Sequence, residues 1–175
     1  MENYGVPSRR QLKRMSLRQL KDGRYGPYRL LAADMIVRLS SPIKAEDVKE
    51  VIFPVVPGEE REYDHLVDWF IGLADAHHCY SCMGTPEPES DGLEFSALVD
   101  NTQGGKDAYK HVLTFCQALV REEKVESIEA DVCDPWRFDI EEQQPLVLTH
   151  LSFKKGEELD IDALVAQAEP WFTIR

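Results

Sequence analysis

Residues His77-His78-Cys79-Tyr80-Ser81-Cys82 crowd two imidazoles and a Cys-x-x-Cys pair into six consecutive positions. These side chains ligate zinc or exchange disulfides, so a metal or redox centre is the first chemistry to weigh. A structural zinc site takes two ligand pairs from separate loops. Here Cys116 and Cys133 stand alone, and no second Cys-x-x-Cys or His-x-x-x-His exists. A reactive pair also draws its low thiol pKa from a helix N-terminus and nearby positive charge. This pair instead follows the negative end of a predicted helix in an acidic setting. If the segment is extended, Cys79 and Cys82 point to opposite faces of the strand. The expectation is a helix-to-strand junction that binds no metal, and a metalloprotein built on His77–Cys82 is the third-ranked functional reading.

Other catalytic signatures are weaker. Gly104-Gly105-Lys106 lacks the spacing of a phosphate-binding loop, and no Gly-x-Ser-x-Gly elbow occurs. His65, His111 and His150 are scattered, and the Glu141-Glu142 and Glu157-Glu158 pairs read as solvated faces. No catalytic residue, cofactor or small-molecule substrate is expected. Trp136, in Cys133-Asp134-Pro135-Trp136, either packs over a sheet edge or anchors a partner, as interface tryptophans do.

The elements that position these residues follow from periodicity. Residues 32–40 alternate as a strand, and Ser41-Pro42 opens a short helix running through residues 44–53, followed by a loop over 54–62. Leu66, Trp69, Phe70, Leu73 and His77 recur at helical spacing over 63–77. The next strand runs through the Cys-x-x-Cys segment to a turn over 85–92, then Leu93, Phe95, Ala97 and Val99 alternate. Residues 106–122 form a second helix whose stripe is Tyr109, Val112, Leu113, Cys116, Leu119 and Val120. A strand ending before Asp134-Pro135-Trp136, another at 146–153 and a short acidic helix around 161–168 complete the chain. Strand, helix, strand, strand, helix, strand over 32–133 predicts an α+β fold. The pattern is a split βαβ (ferredoxin-like) antiparallel sheet with two helices on one face, or another α+β sandwich of the same elements. The division is a basic N-terminal arm (1–29), a core domain (30–138) and a C-terminal extension (139–175) packed on the core.

Charge adds the strongest global signal. The chain of 175 residues carries a net −12. Residues 1–29 hold eight bases against two acids, a net +6, which leaves −18 on the rest. Within the arm, Leu12, Met15 and Leu20 fit one helical stripe among bases. The arm can neutralise phosphates or dock on its own acidic body, whereas the body repels nucleic acid. No apolar run reaches membrane-spanning length and no secretory start is visible, so no membrane partner is expected. Four cysteines suit a reducing cytoplasm.

Two regions resemble the YggL-like proteins, small bacterial proteins associated with the large (50S) ribosomal subunit. Ser8-Arg9-Arg10-Gln11-Leu12-Lys13-Arg14-Met15 looks like their basic start. The order from Leu66 to Trp136 is also similar, closing on Val132-Cys133-Asp134-Pro135-Trp136. The chain departs from that pattern in a Gly/Pro segment at 23–29, an insertion over 41–62 and the extension after 138. Leu17-Arg18-Gln19-Leu20 replaces the acidic and aromatic residues expected after the basic start. The resemblance implies a non-enzymatic ribosome-binding protein. Arg9, Arg10, Lys13, Arg14 and Arg18 would contact rRNA while the acidic body faces ribosomal proteins. The alternative is an acidic immunity- or mimic-type module that binds a basic protein.

Overall fold

A computed structural model describes residues 30–47, 51–52, 65–77, 82–86, 91–139, 141 and 144–173. The fold is α+β, an open antiparallel sheet with helices on one face. Its strands are β1 (Leu30–Leu39), β2 (Val51–Ile52), β3 (Cys82–Pro86), β4 (Gly92–Asp100), β5 (Val125–Asp139) and β6 (Gln144–Lys154). Its helices are α1 (His65–Ala76), α2 (Gln103–Arg121) and α3 (Ile161–Ala168). Among the described residues the sheet has six strands in the order β2-β3-β4-β1-β5-β6, every neighbour antiparallel, so the first described strand lies inside it.

Strict alternation makes β1 and β4 two-faced. Leu31, Ala33, Met35, Val37 and Leu39 turn inward from β1, as Leu93, Phe95, Ala97 and Val99 do from β4. Phe70 of α1 packs on Phe95 with ring centroids 4.9 Å apart, and Phe115 of α2 meets the same ring edge-on at 6.2 Å. Both helices therefore bury their stripes on one face, and one core cluster joins them. The predicted stripe of α2 is buried throughout, with Phe115 and Gln117 added to it.

The β4–α2 corner is fixed by polar contacts. Thr102 caps α2, its hydroxyl accepting from the Gly105 N–H at 3.1 Å, while Asp100 Oδ1 accepts from the Thr102 N–H at 3.1 Å and from its hydroxyl. Gly105 sits so close to the Asp100 backbone that a Cβ there would collide with its carbonyl. That contact, not phosphate binding, accounts for a glycine at this position.

The segment after β6 wraps α2. Lys106, Lys110 and Arg121 of α2 pair with Glu169, Asp162 and Glu158. Tyr109 packs against Trp171 and Phe172, each with centroids 5.9 Å away. The buried Gln117 amide donates to the Glu157 carbonyl at 2.9 Å and accepts from the Leu159 N–H at 2.7 Å.

Three expectations need correction. In place of a helix through residues 44–53, a single 3-10 turn (Ala45–Asp47) precedes β2, where β-branched Val51 and Ile52 pair with Gly84 and Met83. Thr85 and Pro86 belong to β3 rather than to a turn. β5 does not stop before Asp134-Pro135-Trp136 but continues to Asp139. Its partners shift from Asp134↔Leu146 directly to Phe138↔Pro145, so residues 135–137 bulge from the ladder, which is where a strand tolerates a proline that cannot donate.

Candidate functional site: the open face of the sheet

The face opposite the helices is left uncovered among the described residues, and its side chains fall into cross-strand rows set by the register. Leu98, Ala32, Cys133 and Val147 align across β4, β1, β5 and β6 as an apolar row. Leu98 and Val147, 43% and 37% exposed, are the large exposed hydrophobics among the described residues, and the register places both in this one row. Two residues along β1 lies a polar row, Ser96, Asp34, Asp131 and His150. Glu94, Ile36, Glu129 and Ser152 follow, and Arg38, Ser127 and Lys154 close the face. Arg38 is paired with Asp91 at 3.3 Å. The face therefore grades from apolar at the start of β1, through four carboxylates, to basic at its end.

A shallow cavity of about 430 Å³ lies over the middle rows, lined by Asp34, Glu94, Ser96, Glu129, Asp131 and His150 among others. His150 is held at both ring nitrogens, Nδ1 at 2.7 Å from Asp131 and Nε2 at 2.6 Å from Glu129. A neutral imidazole has one N–H, so two carboxylate partners favour the doubly protonated ring. The hydrogen bonds to Asp131 and Glu129 accordingly raise the His150 pKa above its ordinary 6.5. Ser152 donates to Glu129 at 2.8 Å and Ser96 to Asp34 at 2.7 Å.

This arrangement argues against nucleophilic catalysis by the two serines. A catalytic serine gives its proton to an imidazole that a carboxylate orients. Here each hydroxyl is bound to a carboxylate, and both imidazole nitrogens are occupied by carboxylates as well. The geometry instead presents carboxylates beside exposed apolar area.

Cys116 and Cys133 are both buried thiols held in the neutral form. Cys116 is buried, 3.6 Å from the Met35 sulfur, and desolvation pushes its pKa to about 12. The Cys133 thiol is also raised, by burial first and then by the charges of Asp34 and Asp131. Among the described residues no group of His, Cys, Asp and Glu has the makings of a metal site. His77 directly follows α1 and Cys82 opens β3, while His78, Cys79, Tyr80 and Ser81 lie outside the described residues.

Arg9, Arg10, Lys13, Arg14 and Arg18 lie outside the described residues too. Trp136 falls within the bulged part of β5 rather than beyond the last core strand, and its side chain is outside the described set. The open face was not singled out from the sequence, because Asp34, Asp131 and His150 are far apart in the chain and only the register brings them into one row. No described helix is long and apolar enough to cross a membrane. No family model, curated protein or solved structure matches the chain.

Proposed function

We propose that this is a non-enzymatic binding protein whose open sheet face docks a basic protein surface. The graded face carries the reading: four carboxylates beside the Leu98–Val147 row supply both charge and apolar contact area. The net negative charge of its middle rows steers a cationic partner and disfavours nucleic acid. The core is read as a split βαβ unit, supported by the order β3-β4-β1-β5 with α1 and α2 as its crossovers.

The +6 of residues 1–29 favours a partner that also offers phosphates. The large ribosomal subunit presents both, with the arm on rRNA and the acidic face on ribosomal proteins, as the resemblance to YggL-like proteins implies. Gradient sedimentation of cell lysate at low and high salt tests this reading. The full chain is expected in the large-subunit fraction at low salt. Asp34→Lys/Asp131→Lys should shift it to the top of the gradient, as should reversing Arg9, Arg10, Lys13 and Arg14 to Glu. Sedimentation unchanged by the face substitution would refute the proposed contact.

A further inference from the structure

We propose that in the free protein residues 8–21 of the same chain lie across the open face, so that a partner must displace them. Three observations point to this occupant.

The first is charge and pattern. Residues 8–21 carry Arg9, Arg10, Lys13, Arg14, Arg18 and Lys21 with no acid, around the apolar positions Leu12, Met15 and Leu20. The face offers the complement: Asp34, Glu94, Glu129 and Asp131, net negative even with a charged His150 between the last two, beside Leu98 and Val147.

The second is the point of entry. β1 begins at Leu30, inside the sheet rather than at its edge, and Leu30 pairs with Asp100 just beyond the apolar row. Chain returning from there over the open face meets the apolar row first and the carboxylates next. Arg38 and Lys154 lie at the far end and repel a basic segment that runs too long.

The third is reach. Eight residues such as 22–29 can extend up to about 27 Å, and the 14 residues 8–21 would measure about 21 Å if wound as a helix. Four strands span about 14 Å, and the two acidic rows lie within about 14 Å of the apolar row along the strands. The arm therefore covers the face without strain, and a tether this short gives it an effective concentration on the order of millimolar.

Docking in cis goes beyond partner binding and adds competition to it, because bases on the sheet face are unavailable to phosphates. The test uses the full chain without ribosomes, so its failure is separable from failure of the sedimentation experiment. A photoreactive benzophenone residue replaces Leu98 and, as a control on the other side of the molecule, the exposed Gln167. Light and heavy isotope-labelled protein are mixed, irradiated and mapped by mass spectrometry, with circular dichroism checking the fold.

Position 98 should crosslink to peptides from 8–21 at least about fivefold more than position 167, within single chains. The signal should collapse at 1 M salt, where the Debye length is about 3 Å. It should also collapse in Asp34→Asn/Asp131→Asn. Equal yields from the two positions would overturn the proposal. Crosslinks between light and heavy chains would assign the face to a second copy, and persistence in high salt or the double variant would remove its electrostatic basis.

Discussion

Replacing Gln117 with leucine should loosen the whole C-terminal wrap. The amide sits on α2, 7% exposed, and bonds two backbone groups of the chain that follows β6. Glu157 is exposed, so water can take over its carbonyl, and losing that bond costs about 0.5–1 kcal/mol. Leu159 is only half-exposed, and stranding its N–H costs about 1–2 kcal/mol. The leucine side chain recovers less than about 1 kcal/mol by burial. The net expectation is a loss of about 2 kcal/mol, read as a lower urea midpoint at unchanged slope. Hydrogen exchange should locate the effect, with the Leu159 amide losing more protection than the amides of β1. Gln117→Glu separates the two bonds, since a carboxylate still accepts from Leu159 but cannot donate to Glu157. A loss below about 0.5 kcal/mol for Gln117→Leu, or no change at Leu159, would refute the view that this amide fastens the segment.

His150 titrates above its ordinary value, so its stabilising contribution is complete below about pH 6.5 and disappears as pH rises through the folded value. His150→Gln should therefore cost stability at pH 5.5 and little at pH 9, by no more than about 1 kcal/mol because the pairs are exposed. NMR titration of the imidazole should move its midpoint back down in Asp131→Asn, and an unmoved midpoint would sink the assignment. Gly105→Ala should destabilise by about 2–4 kcal/mol in thermal melts, because the added Cβ meets the Asp100 backbone. Cys116 in the native chain should resist alkylation by iodoacetamide at pH 8 and react fully in denaturant, since its thiol is buried and raised.

Much of the helix-facing layer was legible in the sequence, since burial on one face leaves a period. Leu93, Phe95, Ala97 and Val99 alternate, and the α2 stripe recurs at helical spacing, so local pattern and tertiary burial agree. Gln117 was not legible as a buried residue, because its partners are backbone groups about 40 positions later. Val51 and Ile52 read as the end of a helix because nothing nearby reports their pairing with β3. Proline at 135 signalled a strand end, but a bulge absorbed it. The open face was hidden for a further reason. A row such as Ser96-Asp34-Asp131-His150 exists only across four strands, and a one-residue slip in any pairing would dissolve it.

The inner position of β1 also sets the order in which the molecule can be built. The first described strand to leave a ribosome waits for β4, more than 50 residues later, and then for β5, about 90 residues later, before both its edges are paired. Until then Leu31, Met35, Val37 and Leu39 have no sheet to enter. Pairings so distant in sequence make assembly of the sheet slow compared with the local helices α1 and α2. During synthesis the nascent chain therefore carries an unmated apolar strand directly behind the basic residues 1–29. Pairing with that second neighbour can begin at Val125 opposite Leu39, and the ladder is complete only once Cys133 stands opposite Ala32.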